Sequence, residues 1–135
     1  MTTVAATAER LREDARSGAL DDLCRALGID LLVLFGSARR TPHSAGDVDV
    51  AYAPAAGKDL DHLEVVNALG ERYGDHLDVM GLARAGTVAR FEALARGDVL
   101  VERTPGIFAR RQMAAMGEFY DEQWLRDLAL EALAR

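Results

Sequence analysis

The sequence predicts an α+β fold in which helices pack on a mixed β-sheet of about four strands. The run Ile29–Phe35 is apolar except for Asp30, and it is too short and too uniformly apolar for a surface helix, so it predicts a buried strand. The stretch Asp47–Ala53 alternates in the period-two pattern of a second strand. Helix and strand patterns follow one another in the order α, β, β, α, β, α, β, α. This order favours helices packed on a mixed sheet.

The length and charge of the chain limit the classes of function. The 135 residues fit one compact domain, 1–135, and no stretch approaches the roughly 20 apolar residues that span a bilayer. The first residues form an acidic, helical pattern where a signal peptide would need an apolar block, so we expect a cytoplasmic protein without a membrane anchor. The formal net charge of -6 argues against general nucleic-acid binding. A small phosphorylated ligand with a divalent cation fits this charge better.

The remaining elements follow from apolar spacing and from glycine and proline positions. A helical pattern over Ala6–Leu27 breaks at Ser17-Gly18 and stops at Gly28. Ser37–Arg40 can begin a short helix, and Thr41–Gly46 is a loop. The later predictions are helices over Asp59–Tyr73, over Thr87–Arg96 and from Thr104 to the C-terminus, and strands over His76–Leu82 and Val99–Val101.

The last helix carries a stripe of large apolar residues at helical spacing: Met113, Met116, Tyr120, Trp124 and Leu128. Core packing is the favoured interpretation of such a stripe. A partner surface is the alternative, because methionine and aromatic side chains are enriched at interfaces.

The cysteine and histidines suggest no site. Cys24 lies in a helical stretch between leucines, which predicts a buried, inert thiol. His43, His62 and His76 do not have the spacing of zinc ligands, and no cysteine pair accompanies them. His43 could touch a nucleotide, but a solvated loop histidine is favoured.

Three aspartates are the strongest candidates for chemistry. Asp47 and Asp49 project from the same face of one predicted strand, opposite Val48 and Val50, so their like charges would repel each other. A divalent cation relieves such repulsion, and Mg²⁺ is usually held by one or two carboxylates together with substrate phosphates. Asp78, on another predicted strand, completes a three-carboxylate set if the two strands are neighbours. Such a set around one or two metal ions can neutralise charge at a phosphorus centre and accept the proton of an attacking hydroxyl.

A Gly-Ser step at the end of the first strand is the second candidate. Gly36 lets the backbone approach a ligand closely, and Ser37 with the amides after it can direct donors at an anion. Arg39 and Arg40 can add charge-assisted hydrogen bonds to phosphate. The turn would therefore bind a triphosphate, and the acids would bind the metal ions that accompany this triphosphate. A DxD pair or a Gly-Ser turn alone is a weak signal, and only their ordered combination is specific.

The motifs FGSARR, DVDV and LDVM together resemble the minimal nucleotidyltransferases of the DNA polymerase β-like superfamily. The whole length is similar to the MNT-domain antitoxins that are paired with HEPN-domain toxins. The resemblance implies the polymerase β-like fold. By similarity, Gly36, Ser37 and Arg39 match the nucleotide-binding turn, with Arg40 beside it, and Asp47, Asp49 and Asp78 match the metal-binding catalytic acids.

The resemblance also implies an activity and a partner. The family transfers AMP from ATP with Mg²⁺, expected here as two ions, and releases pyrophosphate. In these antitoxins the acceptor is a tyrosine hydroxyl of the HEPN toxin, which is thereby silenced. The resemblance therefore implies a protein adenylyltransferase that acts as an antitoxin.

The chain departs from the family pattern between the two motifs. Nine residues, Ala38 to Gly46, separate GS from DxD where the family usually has ten, and Gly46 stands where a serine is usual. Arg40 stands where a glycine commonly follows the arginine. We expect the shortened loop to close, with nucleotide affinity or acceptor access as the properties that could differ.

Two other functions remain open. A non-catalytic antitoxin could block its toxin by direct binding through the C-terminal helix, with the acids kept as a relic. An enzyme with a small hydroxylated acceptor, such as an aminoglycoside, is ranked last, because the chain is too short for the extra acceptor-binding domain of such enzymes.

Overall fold

The computed structural model of the chain describes residues 3–135, which form five α-helices, one 3₁₀ turn and four β-strands. The types and order of these elements are those predicted from the sequence. The 3₁₀ turn, Ser37–Arg39, follows the first strand directly. The other elements are α1 (Val4–Ser17), α2 (Ala19–Leu27), β1 (Ile29–Phe35), β2 (Val48–Pro54), α3 (His62–Tyr73), β3 (Leu77–Gly81), α4 (Thr87–Ala95), β4 (Asp98–Glu102) and α5 (Ile107–Leu133).

The four strands form one mixed sheet in the order β3-β2-β1-β4. β1 is antiparallel to both β2 and β4, whereas β2 and β3 run parallel. A parallel pair needs a crossover connection, and α3 provides it. As a consequence, β2 and β3 both begin at the same end of the sheet.

Helices cover both faces of the sheet. On one face, α1, α2 and α3 contribute to a buried cluster together with the even-numbered residues of β2, Val48, Val50 and Tyr52. On the other face, α4 and α5 pack on Leu31, Val33 and the small side chains of β2. β1 is covered from both sides, which explains why its sequence is apolar throughout rather than alternating.

The one polar residue of β1 is satisfied in the core. Asp30 is buried, its carboxylate accepts a hydrogen bond from Thr104 Oγ1 at 2.9 Å, and its carbonyl accepts one from the Arg103 amide at 2.8 Å. Both contacts come from the segment that leads from β4 into α5. Asp30 therefore fixes this segment against the centre of the sheet, and its burial has a structural cause.

The element bounds differ from prediction by a few residues. β2 begins at Val48 rather than Asp47, because the ladder to β3 starts with the pair Val48 and Leu77. α3 begins at His62, where the carboxylate of Asp61 accepts a hydrogen bond from the Leu63 amide at 3.0 Å and caps the helix. Asp47 consequently precedes the strand instead of lying within it.

The second half of α5 extends beyond the body of the protein. Every residue from 121 to 135 is exposed. The interpretation of the apolar stripe as core is wrong, because Met113, Tyr120 and Trp124 are 72%, 54% and 62% exposed and Met116 is only partly buried. A neighbouring side of the helix packs on α4 instead, where Phe119 stacks on Phe91 with ring centroids 4.0 Å apart, and Tyr120 meets Phe91 edge-on at 5.9 Å.

Within residues 3–135, no helix combines the length and the apolar character needed to cross a membrane.

Candidate active site

Two of the three candidate aspartates lie side by side. Because β2 and β3 are parallel neighbours, Asp49 is the direct register partner of Asp78. Both side chains project from the same face as Met80 and Ala51, opposite Val48 and Val50. Asp47 lies two residues before Asp49, just outside the strand. The condition under which the sequence predicts a joint site, that the two strands are neighbours, is met.

The carboxylates repel one another. Burial raises the pKa of Asp49, and the negative charges of Asp78 and Asp47, with a hydrogen bond to the Asp78 side chain, raise this pKa further. Asp47 and Asp78 are exposed, whereas Asp49 is partly buried. A cation at this place would relieve the repulsion, and carboxylate oxygens are the ligands that Mg²⁺ prefers.

The acids do not form a closed cage by themselves. In the part of the chain that the structure describes, no group of three or more histidine, cysteine, aspartate or glutamate side chains is arranged to hold a metal ion. Mg²⁺ usually takes one or two carboxylates together with phosphate oxygens and water. Asp47 and Asp49 fit that donor set, with the phosphates of a bound nucleotide supplying further ligands.

The backbone of Gly36 lies against Asp49. Gly36 has φ 76° and ψ −165°, a conformation that is essentially restricted to glycine. A Cβ atom built at this position would lie 2.3 Å from Oδ2 of Asp49. Both the backbone angle and the close approach therefore require glycine here. The end of β1 and the first residues of β2 meet at this contact.

The GS turn, Gly36–Arg40, is held by its own backbone and by Thr41. The Arg39 amide donates to the Gly36 carbonyl at 3.3 Å, and both the amide and the hydroxyl of Thr41 donate to the Ser37 carbonyl, at 2.8 and 3.1 Å. Ala38 is buried beneath the turn, whereas Ser37 is exposed beside Gly36. The turn thus presents its serine to solvent on a defined backbone.

The two arginines of the turn have different surroundings. The guanidinium of Arg39 pairs with Asp98 of β4 at 3.3 Å, and Asp98 also accepts from Arg12 of α1 at 3.0 Å. Arg12 further donates to the Arg39 carbonyl at 3.4 Å. Arg39 therefore links the turn to β4 and α1. Arg40, at the end of the turn, is exposed.

The shortened loop closes with local hydrogen bonds. The amide and the hydroxyl of Ser44 both donate to the Thr41 carbonyl, at 3.1 and 3.3 Å. Gly46 is exposed, and a Cβ atom built on it would meet nothing within 4 Å. Position 46 would accordingly admit a side chain.

A cleft of about 440 Å³ opens beside the acids. Asp49 and Asp78 line it together with His62 and Arg84, and its other lining residues are Phe35, Val79, Met80, Gly81 and Ala85. Sequence reasoning gave neither His62 nor Arg84 a role. Arg84 could have been noticed, because it follows the acid-bearing strand by a few residues. His62 had no signal in the sequence, since only the folded sheet brings it to the cleft.

Comparisons with known proteins give structural likeness only. No family model matches the chain, and no curated protein matches it. One similar solved structure is a mutant of the toxin-antitoxin pair MntA-HpeT, with a TM-score of 0.68 at 19% identity, covering 87% of this chain and 98% of that chain. A second is a toxin-antitoxin with AMP-PNP, with a TM-score of 0.67 at 20% identity, covering 86% and 96%.

A third similar structure is the tri-AMPylated HEPN toxin of Shewanella oneidensis in complex with its MNT antitoxin. It has a TM-score of 0.66 at 18% identity and covers 93% of this chain and 99% of that chain. The chain has the minimal nucleotidyltransferase fold. Within that fold, the GS turn follows the end of β1, and the acids lie at the start of β2 and β3. These two parts meet at the same end of the strands.

Proposed function

We propose that this chain is a Mg²⁺-dependent nucleotidyltransferase that transfers AMP from ATP to a tyrosine hydroxyl of a HEPN-type toxin and thereby acts as an antitoxin. The observation that carries the proposal is the contact between Gly36 and Asp49, with Asp78 opposite Asp49. This contact joins an anion-binding turn to a carboxylate cluster. The structures similar to this chain include one with AMP-PNP and one with an AMPylated HEPN toxin, which supports the same reaction.

Each part of the site has a role in this proposal. The Ser37 hydroxyl and the amides of the turn that donate no hydrogen bond within it bind the triphosphate, and exposed Arg40 adds a cation beside it. Arg39, paired with Asp98, holds the turn and contributes positive charge behind it. Asp47 and Asp49 would hold Mg²⁺, with Asp78 beside them. The metal, when bound, offsets the negative charge on the phosphates and on the leaving group.

The reaction balances with ATP and one hydroxyl. The hydroxyl oxygen forms a bond to the α-phosphorus, and the bond from that phosphorus to the oxygen bridging it to the β-phosphorus breaks. Pyrophosphate leaves with that oxygen, and the hydroxyl proton passes to a carboxylate, a role that we assign to Asp78, and then to water. Because the chemistry needs little more than positioning and charge neutralisation, a small domain suffices.

The test combines Asp47→Asn with Asp49→Asn. We expect this variant to keep its fold and to lose transfer of AMP from α-labelled ATP to the toxin, because both proposed metal ligands lose their charge. Label on the toxin and its intact mass, which rises by one AMP per addition, measure the outcome.

The matched control is Glu71→Gln with Asp75→Asn, which removes two exposed acids that line a separate cleft next to α3. This control should label the toxin like the original chain. Undiminished labelling by the variant of Asp47 and Asp49 would contradict the proposed active site.

A second candidate function is neutralisation by direct binding without chemistry. The exposed stripe on α5, with Trp124 62% and Tyr120 54% exposed, favours it, because large apolar side chains in solvent are typical of partner surfaces. Neutralisation of the toxin by the variant of Asp47 and Asp49, without any gain in toxin mass, would support this function over AMP transfer.

A further inference from the structure

His62 and Tyr52 form a closely packed pair beside the acid cleft. The Tyr52 hydroxyl and His62 Nδ1 are 2.8 Å apart, and the two rings stack with centroids 5.7 Å apart and planes at 16°. Tyr52 is buried and His62 partly buried. A phenol can donate or accept a hydrogen bond, so Tyr52 satisfies Nδ1 in either tautomer and leaves Nε2 as the free nitrogen.

The surroundings keep this pair in place. Gly81 lies beside it, and a Cβ atom there would be 3.2 Å from the Tyr52 oxygen and 3.6 Å from His62 Nδ1. His62 is the first residue of α3, whose start is fixed by the Asp61 cap. The orientation of the imidazole is therefore set by three elements, β2, β3 and α3.

The position of the pair relative to the turn suggests what it contacts. The sheet order places the turn on β1, Asp49 on β2 and Asp78 on β3, which is the edge strand. Strands are about 4.8 Å apart, so Asp78 lies roughly 10 Å from β1. His62 and Arg84 line the same cleft as Asp49 and Asp78, and this cleft follows the edge strand β3 and also borders Phe35 at the end of β1. Tyr52 and His62 lie on the α3 side of the sheet, at the register of Gly81, and the acids lie on the other side.

In-line displacement places the attacking group and the leaving group on opposite sides of the phosphorus. With the triphosphate on the turn, pyrophosphate leaves towards β1 and the attacking hydroxyl enters from β3. We propose that His62, oriented by Tyr52, is a positioning residue for the acceptor, and that the acceptor is a hydroxyl-bearing peptide segment whose acidic flank meets Arg84. This inference rests on the proposed function, because it assigns the other half of the same site.

The chemistry of the pair matches such an acceptor. Nε2 of His62 forms one hydrogen bond to the hydroxyl or to the backbone that carries it. Arg84 is exposed, and its charge pairs with a carboxylate on the incoming segment. Phe35 and Met80 supply an apolar wall on which an aromatic ring can rest. Neither His62 nor Arg84 contacts the triphosphate in this arrangement.

The experiment measures initial rates of AMP transfer to the HEPN-type toxin, with ATP and Mg²⁺, as a function of toxin and of ATP concentration. For His62→Ala, we expect the KM for toxin to rise about tenfold, which corresponds to one lost hydrogen bond, while the KM for ATP stays within about twofold. Tyr52→Phe, which keeps the ring and removes the hydroxyl, should raise the toxin KM by a smaller factor in the same direction.

The controls are His43→Ala, a histidine in the loop before β2, and Arg25→Gln, an exposed arginine on α2. Arg84→Gln should raise the toxin KM, whereas neither control should change it. An unchanged toxin KM in His62→Ala, or equal rises of the toxin and ATP KM values, would overturn the inference. If His62→Ala does not fold, Tyr52→Phe alone decides, and an unchanged toxin KM there overturns it too.

The two proposals fail in different ways. If the unmodified chain transfers no AMP to the toxin, the proposed function fails and this inference falls with it. If the unmodified chain transfers AMP and His62→Ala behaves like His43→Ala, only the inference fails.

Discussion

Gly36 is the residue at which the two halves of the candidate site touch. Its left-handed φ and the 2.3 Å between a built Cβ and Asp49 Oδ2 are independent reasons for glycine. The first concerns the backbone of the turn, and the second concerns the position of a carboxylate. A side chain here would therefore disturb the turn and the acid together.

For Gly36→Ala we predict a loss of nucleotide binding and of AMP transfer. The free energy of unfolding should fall on the order of 1–3 kcal/mol, because alanine is strained in this region of φ and ψ. Thermal unfolding measures the stability, and calorimetric titration with ATP and Mg²⁺ measures the binding.

Gly57→Ala is the matched control for this substitution. Gly57 also has φ 76°, but a Cβ atom there meets nothing within 4 Å. Gly57→Ala should lower the free energy of unfolding and leave ATP binding unchanged. ATP binding by Gly36→Ala equal to that of Gly57→Ala would show that the contact with Asp49 is not needed.

Cys24 gives a prediction about pH. Burial raises the pKa of its thiol to about 12, with a smaller contribution from Asp21. In the unfolded chain the thiol ionises near its ordinary value of about 8.5, so between these two values only the unfolded form is a good nucleophile.

At pH 9 we expect iodoacetamide to leave the folded protein unmodified and to alkylate Cys24 once urea unfolds it. As the pH rises from about 9 to 12, the unfolded state loses this proton before the folded state does. The contribution of this thiol to the free energy of unfolding therefore decreases over that range. Intact mass after a timed reaction measures the modification. Rapid alkylation of the folded protein would contradict the buried, inert thiol that the sequence predicts.

At the scale of elements, an ion-pair network holds the GS turn to the rest of the fold. Asp98 at the start of β4 pairs with Arg39 of the turn and Arg12 of α1. The side chains are 23–37% exposed, so solvent screens the pairs and their contribution to stability is at most about 1 kcal/mol. The network matters more for where the turn sits than for how stable the protein is.

Asp98→Asn should therefore lower the affinity for ATP several-fold and shift the melting temperature only slightly. The reason is that Arg39 loses its anionic partner and the turn loses its link to β4. ATP titration and thermal unfolding separate the two effects.

Glu13→Gln is the control, because it breaks an exposed ion pair with Arg16 elsewhere on α1. Glu13→Gln should change neither the affinity for ATP nor the melting temperature by much. If Asp98→Asn also binds ATP with unaltered affinity, the network does not position the turn.

At the scale of the whole molecule, the second half of α5 stands apart from the folded body. The contacts of α5 with the body end near Glu122, which accepts a hydrogen bond from Thr87 at 2.8 Å. Beyond it, the exposed large apolar residues include Trp124, Leu125, Leu128, Leu130 and Leu133. Such a surface in solvent is typical of a binding site for another protein.

A chain that ends after Gln123 should keep its fold. We expect the melting temperature to change by less than about 4 °C, because every residue removed is exposed and contributes little to stability. Circular dichroism should show the loss of about ten helical residues without loss of cooperativity. The same truncation should weaken capture of the toxin, measured by titration of toxin against immobilised protein.

Two results would contradict this prediction. A broad or absent unfolding transition would mean that the end of α5 belongs to the folding unit. Unchanged toxin binding would remove the support that α5 gives to the direct-binding function.

The sequence by itself determined the order of the elements, and it predicts which residues carry the chemistry. Periodicity of apolar residues and the positions of glycine and proline are local properties, and they suffice to place β1, α3 and α5 to within a few residues. The same local pattern put Val48 and Val50 opposite the acids and singled out Gly36 before Ser37. Asp78 could be named as a third acid, but only on the condition that its strand lay beside that of Asp49.

The tertiary structure alone decided which of these residues meet. Strand order is a matter of long-range pairing, so the parallel register of Asp49 with Asp78 cannot be derived from local periodicity. The same holds for Arg39, which pairs with Asp98 far along the chain, and for His62, which reaches Tyr52 and the cleft through the sheet. The stripe on α5 has the spacing of a core helix, yet most of it is exposed, because α4 packs on a neighbouring side of α5, centred on Phe119. Helical periodicity shows that a helix has an apolar side, and only the neighbouring elements determine whether that side is covered.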